Sequence, residues 1–308
     1  MRSLLIFTPV GVGAQLVDGA LGMAFGVTAT TLLVLSNVGA AQASAAVHLA
    51  EVGTTFASGL SHWKFKNIDW PLVAKLGAPG GVGARRGATA LSSLSTEHAA
   101  PLMAAILVAI GIYVLLRFSL RTPLTFGGKG TSHSTTFLAP LGLFGGFIDA
   151  SGGGGWGPVT TSTLLSQGKT APRTVIGSVS ASEFMVSVSA SLGFLIGLRQ
   201  ELLENWPVVV GLMIGGVIAA PFAAWLVSRI SAALLGTAVG GVIVLTNSQK
   251  LVHFFDIQWP WSTAVYSLIV VAWVSLVIYA WRVSRAPRFA PETVDVESSE
   301  TESETVTR

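Results

Sequence analysis

The chain has 308 residues, 51% of them hydrophobic and 11% charged, with a mean hydropathy of +0.67 and a formal net charge of +3. An ordinary soluble domain is about 25% charged, so a soluble globular protein is excluded and a polytopic membrane protein is indicated. The chain has no cysteine, which excludes disulfides, thiolate metal sites and cysteine chemistry.

Apolar segments follow one another along the chain at about 4–35, 43–62, 70–94, 99–117, 136–166, 173–198, 206–228, 232–249 and 262–281. Most have the roughly 18–25 residues needed to cross a bilayer. The first is not followed by a small-residue cleavage site, so it reads as part of the membrane domain rather than a signal peptide. Two segments, 4–35 and 136–166, are about 31 residues long, and a straight helix of that length would rise roughly 46 Å, too far for one span without strong tilt. Each contains an acid beside glycines, in Asp18-Gly19-Ala-Leu-Gly22 and in Asp149-Ala-Ser151-Gly152-Gly153-Gly-Gly155. Glycine in a helix interior is unfavourable by about 1 kcal/mol and permits turns. Each long segment is therefore expected to be two half-helices, forming a re-entrant hairpin or a broken span.

The two halves repeat in order. Glu51 falls opposite Glu183, Trp70-Pro71 opposite Trp206-Pro207, and Gly80-Gly-Val82 opposite Gly215-Gly-Val217, a pattern that signals duplication. The fold class expected is an all-α polytopic membrane protein with two inverted repeats. Each repeat is a broken or re-entrant hairpin plus about three transmembrane helices, and one extra helix lies at the C-terminus. The first repeat covers 1–118, a linker 119–135, the second repeat 136–250 and the final transmembrane helix 251–285. Residues 286–308 form an acidic tail that cannot bury apolar surface and is expected to be disordered.

Lysine and arginine collect on the cytoplasmic side of membrane proteins. If the long segments cross once, the two sides receive 9 and 6 basic residues; if each returns to its own side as a hairpin, the division is 12 against 3. The hairpin arrangement is therefore preferred. It gives each half an odd number of crossings and inverts the second half. The N-terminus is then outside and the C-terminal tail cytoplasmic, in a multi-pass protein of the cell membrane.

A carboxylate at membrane depth is a functional-site candidate by default. Asp18 and Asp149 read as caps of the half-helices that follow them, a role compatible with a binding site at the same turn. Small residues let backbone N–H groups point into a cavity, and a half-helix N-terminus favours an anion. The candidate substrate-binding set is Asp18, Gly19, Gly22, Thr28, Asp149, Ser151, Gly152, Gly153, Thr160, Thr161 and Arg85. Glu51, Glu183 and His48 are the candidates for proton coupling, because a buried carboxylate can carry a proton; the competing reading is an inter-helix hydrogen bond. His48 is three residues before Glu51 and shares its helix face. Arg85 and Arg86 interrupt an apolar span, where an arginine contacts a substrate anion, pairs with an intramembrane acid, or snorkels to the surface. No catalytic residue, metal site, cofactor or nucleic-acid partner is indicated, and the absence of a Walker motif implies no ATP use within the chain.

Four stretches carry a family resemblance: Gly13-Ala-Gln-Leu-Val-Asp18-Gly-Ala-Leu-Gly22, Ala45-Ala-Val-His-Leu-Ala-Glu51 running to Ser58-Gly-Leu-Ser-His62, Gly145-Gly-Phe-Ile-Asp149 through Gly157-Pro158, and Ser178-Val-Ser-Ala-Ser-Glu183. Over roughly residues 5–280 the chain resembles the TauE/SafE-type sulfite and organosulfonate exporters. The resemblance implies duplicated transmembrane modules and a small anionic substrate such as sulfite or a sulfonate. Gln15 and Arg85-Arg86 depart from the small or apolar residues expected there. The reading is a secondary transporter, an exporter in direction, driven by an ion gradient through alternating access. An anion channel and, more remotely, an intramembrane enzyme are the alternatives. The lipid bilayer is the second partner; a homodimer is compatible with the sequence, which leaves oligomeric state open.

Overall fold

A computed structural model describes residues 2–21, 23–120, 133–227 and 232–285. All regular structure among them is helical. The linker residues 121–132, Gly22 and the acidic tail 286–308 lie outside the described residues.

The break expected in each long segment is present. In the first, α1 (Arg2–Leu21) ends before α2 (Phe25–Leu35) begins. In the second, α6 (Thr135–Gly152) is followed by a π-helical turn (Gly157–Thr161) and the short α7 (Ser162–Ser166). The first arms rise about 30 Å and 27 Å at 1.5 Å per residue, whereas α2 rises only about 16 Å. The second arm folds back along the first in both. A Cβ built on Gly13 would lie 3.8 Å from Leu32, and one on Gly145 would lie 3.0 Å from Thr160. The pairs 13/32 and 145/160 straddle their breaks, which is the geometry of a hairpin.

Between the hairpins run α3 (Ala40–Lys64), α4 (Trp70–Ser93) and α5 (Thr96–Leu120). After the second come α8 (Pro172–Gly197), the short α9 (Arg199–Glu204), α10 (Trp206–Val227), α11 (Ala232–Phe254) and α12 (Trp261–Arg285). The residues at their starts explain these bounds. Asp69 caps α4 by accepting the Leu72 N–H at 3.2 Å, and Pro71 follows in the first turn. Pro172 opens α8, where its missing N–H has no partner to lose. Glu97–Leu120, Pro172–Gly197 and Trp261–Val283 are long and apolar enough to cross a bilayer.

Helices of one half pack against helices of the other. Backbone touches backbone where they meet: a side chain on Gly11 of α1 would strike the Leu212 carbonyl of α10, and one on Gly142 of α6 would strike the Leu76 carbonyl of α4. Small residues allow such approach between membrane helices, which lack a hydrophobic drive to associate. The centre is formed by α3 and α8, tied by the Ser58 and Ser180 hydroxyls at 2.8 Å. Trp156, fully buried, lies against Gly80 and Val186, and its indole N–H donates to the Val179 carbonyl at 3.2 Å.

Candidate functional site

Asp18 and Asp149 do the same job at the two breaks. Asp18 Oδ1 accepts the backbone N–H groups of Ala24 at 2.9 Å and Phe25 at 3.1 Å. Asp149 Oδ1 accepts the N–H of Trp156 at 2.9 Å. Each carboxylate reaches seven residues forward, across the break, and satisfies first-turn donors that a helix leaves unpaired. The second break runs through Gly153, Gly154 and Gly155 at φ of 70°, 146° and 152°, a succession that side chains disfavour.

The breaks touch one another. A Cβ on Gly26 would lie 2.8 Å from Gly154 Cα, and one on Gly157 would lie 2.8 Å from Met23 Cβ. The Thr30 hydroxyl donates to the Gly153 carbonyl. Next to this crossing is a cavity of about 300 Å³. Asp18 and Asp149 line it from the breaks, Glu51 from the middle of α3 and Glu183 from the middle of α8. Gln15, Ser58, His62, Thr161 and Ser180 complete its polar wall, and no lysine or arginine among the described residues lines it. Glu51 is 2% exposed. One of its oxygens lies 3.5 Å from the Ser187 hydroxyl, and the other faces the Gly26 backbone without a hydrogen-bond partner among the described residues.

Three backbone donors remain at the cavity. Gly26 and Val27 in the first turn of α2, and Gly157 at the start of the π turn, line it. Their N–H groups meet no acceptor among the described residues, whereas Thr28 already bonds the Ala24 carbonyl and Val159 the Gly155 carbonyl. Such first-turn amides are suited to an oxyanion.

Behind Asp149 sits His48, fully buried, with Nε2 3.1 Å from Asp149 Oδ2 and Nδ1 2.8 Å from the Ser44 carbonyl. His48, Glu51 and Asp149 are the one trio of histidine and acidic side chains among the described residues with polar atoms within 4.8 Å of one another. No fourth such side chain joins them, and structural zinc sites use four ligands.

The profile of the family described as "Sulfite exporter TauE/SafE" matches residues 7–249. The chain belongs to this family. It is also 47% identical over 283 residues to "Probable membrane transporter protein YtnM" of Bacillus subtilis (strain 168), covering 91% of this chain and 93% of that protein. No solved structure matches. The TauE/SafE chain is accordingly a membrane transporter and not an enzyme.

Not every candidate residue of this TauE/SafE protein reaches the cavity. Asp18, Glu51, Asp149, Thr161 and Glu183 line it; Gly22 lies outside the described residues and Gly19 in the last turn of α1. Ser151 and Thr160 are buried, and their hydroxyls bond back to Phe147 O at 2.6 Å and Trp156 O at 2.5 Å. These hydroxyls satisfy their own helices instead of facing the cavity. Thr28 is buried with no partner for its hydroxyl, and it too is absent from the cavity wall. Gly152 packs against Ile106 and Gly153 against Thr30, so both serve packing. Arg85 is exposed, beside Val82, Arg86 and Thr89 on the outer side of α4. The inner side of that helix carries Gly80, Gly83, Ala84 and Gly87, and a 3.6-residue period cannot turn both sets inward. The same period would have found Gln15, three residues before Asp18, and Ser180, three before Glu183. The end-on expectation for the half-helix termini is also revised: the Ala24, Phe25 and Trp156 N–H groups are taken by the two aspartates, which leaves the donors one or two residues further on.

Proposed function

We propose that this TauE/SafE transporter is a secondary exporter of a small anion, sulfite or a sulfonate or a related sulfur oxyanion, moved together with protons. The observation that carries the reading is the composition of the cavity: amides of Gly26, Val27 and Gly157 that meet no acceptor among the described residues stand beside four carboxylates, with His62 the one basic side chain among the described lining residues. The amides suit an oxyanion. The carboxylates repel one unless protons or a cation balance their charge, because unit charges a few ångströms apart interact by several kcal/mol near a protein interior. An anion that enters this cavity therefore brings protons with it, and the coupling follows from the binding chemistry. Glu51 and Glu183, facing each other from α3 and α8, take the protons.

Two inverted repeats, 1–118 and 136–250, would let the hairpins open the cavity alternately to the two faces of the cell membrane, with the acidic tail on the cytoplasmic side. The test is flux in proteoliposomes. Sulfite is expected to accumulate against its gradient when a pH gradient is imposed, and a protonophore is expected to abolish the accumulation. Sulfite flux that ignores both treatments overturns the coupling. Flux of simple carboxylates but of no sulfur oxyanion overturns the substrate class.

A further inference from the structure

His48 and Asp149 are both removed from solvent, at 0% and 2% exposure. His48 Nδ1 lies 2.8 Å from the Ser44 carbonyl oxygen. A carbonyl only accepts, so Nδ1 carries a hydrogen. In a neutral ring the other nitrogen, Nε2, then has a bare lone pair. That lone pair is 3.1 Å from Asp149 Oδ2, and an ionised carboxylate also only accepts. Two acceptors do not hold this distance, so one more hydrogen lies between them. It makes either an imidazolium beside a carboxylate or an imidazole beside a carboxylic acid. In both forms the pair holds one proton more than a neutral histidine and an ionised aspartate.

The partner oxygen of the same carboxylate, Oδ1, caps the second break through the Trp156 N–H. Ser44, one turn before His48, donates its hydroxyl to the Ala150 carbonyl at 2.7 Å, so α3 grips α6 on both sides of the dyad. His48 itself does not line the cavity, whereas Glu51 and Asp149 do. One ring nitrogen of His48 and one carboxylate oxygen from each of Glu51 and Asp149 lie within 4.8 Å of one another. The other hairpin has no such arrangement: the position equivalent to His48 is Ser180, which bonds Ser58 and not Asp18. The titratable groups that line the cavity with Asp149 are Glu51 and His62 from α3, Glu183 from α8 and Asp18 from α1; the Phe194 ring of α8 is 5.9 Å from the imidazole. α2, α5 and α10 bring no charged group to the cavity.

We infer that the His48–Asp149 pair stores the transported proton and that its loss releases the cap on the second hairpin alone. The inference rests on proton-coupled transport. The stored proton leaves Nε2 or Oδ2 for a carboxylate oxygen of Glu51, and from there reaches the cavity; no other bond changes. Once it has gone, the Nε2 lone pair repels Asp149, and the carboxylate that holds the Trp156 N–H is pushed from its place. The first hairpin, capped by Asp18 without a histidine, keeps its geometry in both protonation states. The two otherwise equivalent hairpins are thereby given different duties, one fixed and one gated by a proton.

The test uses the full chain in lipid bilayers with ¹⁵N-labelled histidine, the His48 signal being assigned by its loss in H48Q. Near neutral pH both His48 nitrogens are expected to show a bonded or shared proton. A His48 with a bare Nε2 throughout pH 5–9 overturns the inference. In proteoliposomes, H48Q and D149N are each expected to lower the accumulation of sulfite driven by a unit pH gradient about tenfold, the full thermodynamic worth of one coupled proton, and to flatten the pH profile of the remaining flux. Wild-type accumulation in folded H48Q overturns it as well. The resonance measurement needs no substrate and no transport. A wild-type protein that carries the shared proton but moves no sulfur oxyanion therefore refutes the proposed function and not the stored proton.

Discussion

Gly26 of the first hairpin and Gly154 of the second meet backbone against backbone, where a Cβ on either would fall inside the other segment. This contact brings the two breaks to one point and sets the cavity beside it. Position 154 is doubly restricted, by the approach of Val27 N and by its φ of 146°. Gly154→Ala is expected to destabilise the protein by at least about 2 kcal/mol, the range of overpacking and strained backbone. Gly168→Ala is the control, because φ there is 62° but nothing lies within 4 Å; it should cost about 1 kcal/mol for the left-handed backbone alone. Thermal unfolding of the purified proteins ranks the two, and equal losses would show that the crossing yields easily.

Glu51→Gln and Glu183→Gln separate two roles for the intramembrane glutamates. As proton carriers, they should each flatten the pH dependence of sulfite flux while leaving the fold intact, since glutamine keeps the shape and the Ser187 contact of Glu51. As purely structural groups they would change stability and leave the pH profile where it was. Flux across pH 5.5–8.5 in proteoliposomes, read beside unfolding temperatures, decides between them. An unchanged profile in both variants removes the coupling role.

The helices were legible in the amino-acid order to within a few residues, because apolar runs of spanning length are bounded by Asp69, Pro71 and Pro172, whose chemistry starts helices. The hairpins were legible for the same kind of reason: 31 apolar residues do not fit one straight span, and glycines mark where the chain can turn. Asp18, Glu51, Asp149 and Glu183 stood out because ionisable groups are rare in such runs. The pairing of His48 with Asp149 could not be seen, since 101 residues separate them and only the packing of α3 on α6 joins them. Nor could the fate of the hydroxyls: Thr160 and Ser151 bond their own helices, a choice set by local geometry that composition does not reveal. The outward aspect of Arg85 was available in the helical period of α4 and lies in the contrast between positions 82, 85, 86 and 89 and the glycines between them.

Because Arg85 lies on the exposed side of α4 and away from the cavity, Arg85→Gln should leave the half-saturation concentration for sulfite within about twofold of wild type. A surface substitution away from a site typically changes stability by no more than about 0.5 kcal/mol, so the unfolding temperature should also hold. A tenfold rise in half-saturation concentration, about 1.4 kcal/mol of lost binding, would place the arginine in the substrate path.

His133, just before α6, supplies a pH dependence outside the membrane-spanning segments. Nδ1 lies 3.0 Å from Gln167 Oε1 and Nε2 3.1 Å from the Thr170 hydroxyl. The amide oxygen accepts from Nδ1–H and the hydroxyl donates to Nε2, a pattern that suits the neutral ring. Burial pulls its pKa below the ordinary histidine value, Lys169 adding to this and the Gln167 bond opposing it. The unfolded chain then binds a proton more readily than the folded one. Stability from this group is full above the unfolded value near 6.5 and is lost as pH falls from there toward the lower folded value. Unfolding temperatures measured at pH 7.5 and 5.5 should drop more for wild type than for His133→Asn. The variant should also start lower at pH 7.5, having weakened two hydrogen bonds of about 1 kcal/mol each. Equal drops in the two proteins would show that the acid sensitivity does not come from this latch between α6 and the loop at Gln167–Thr170.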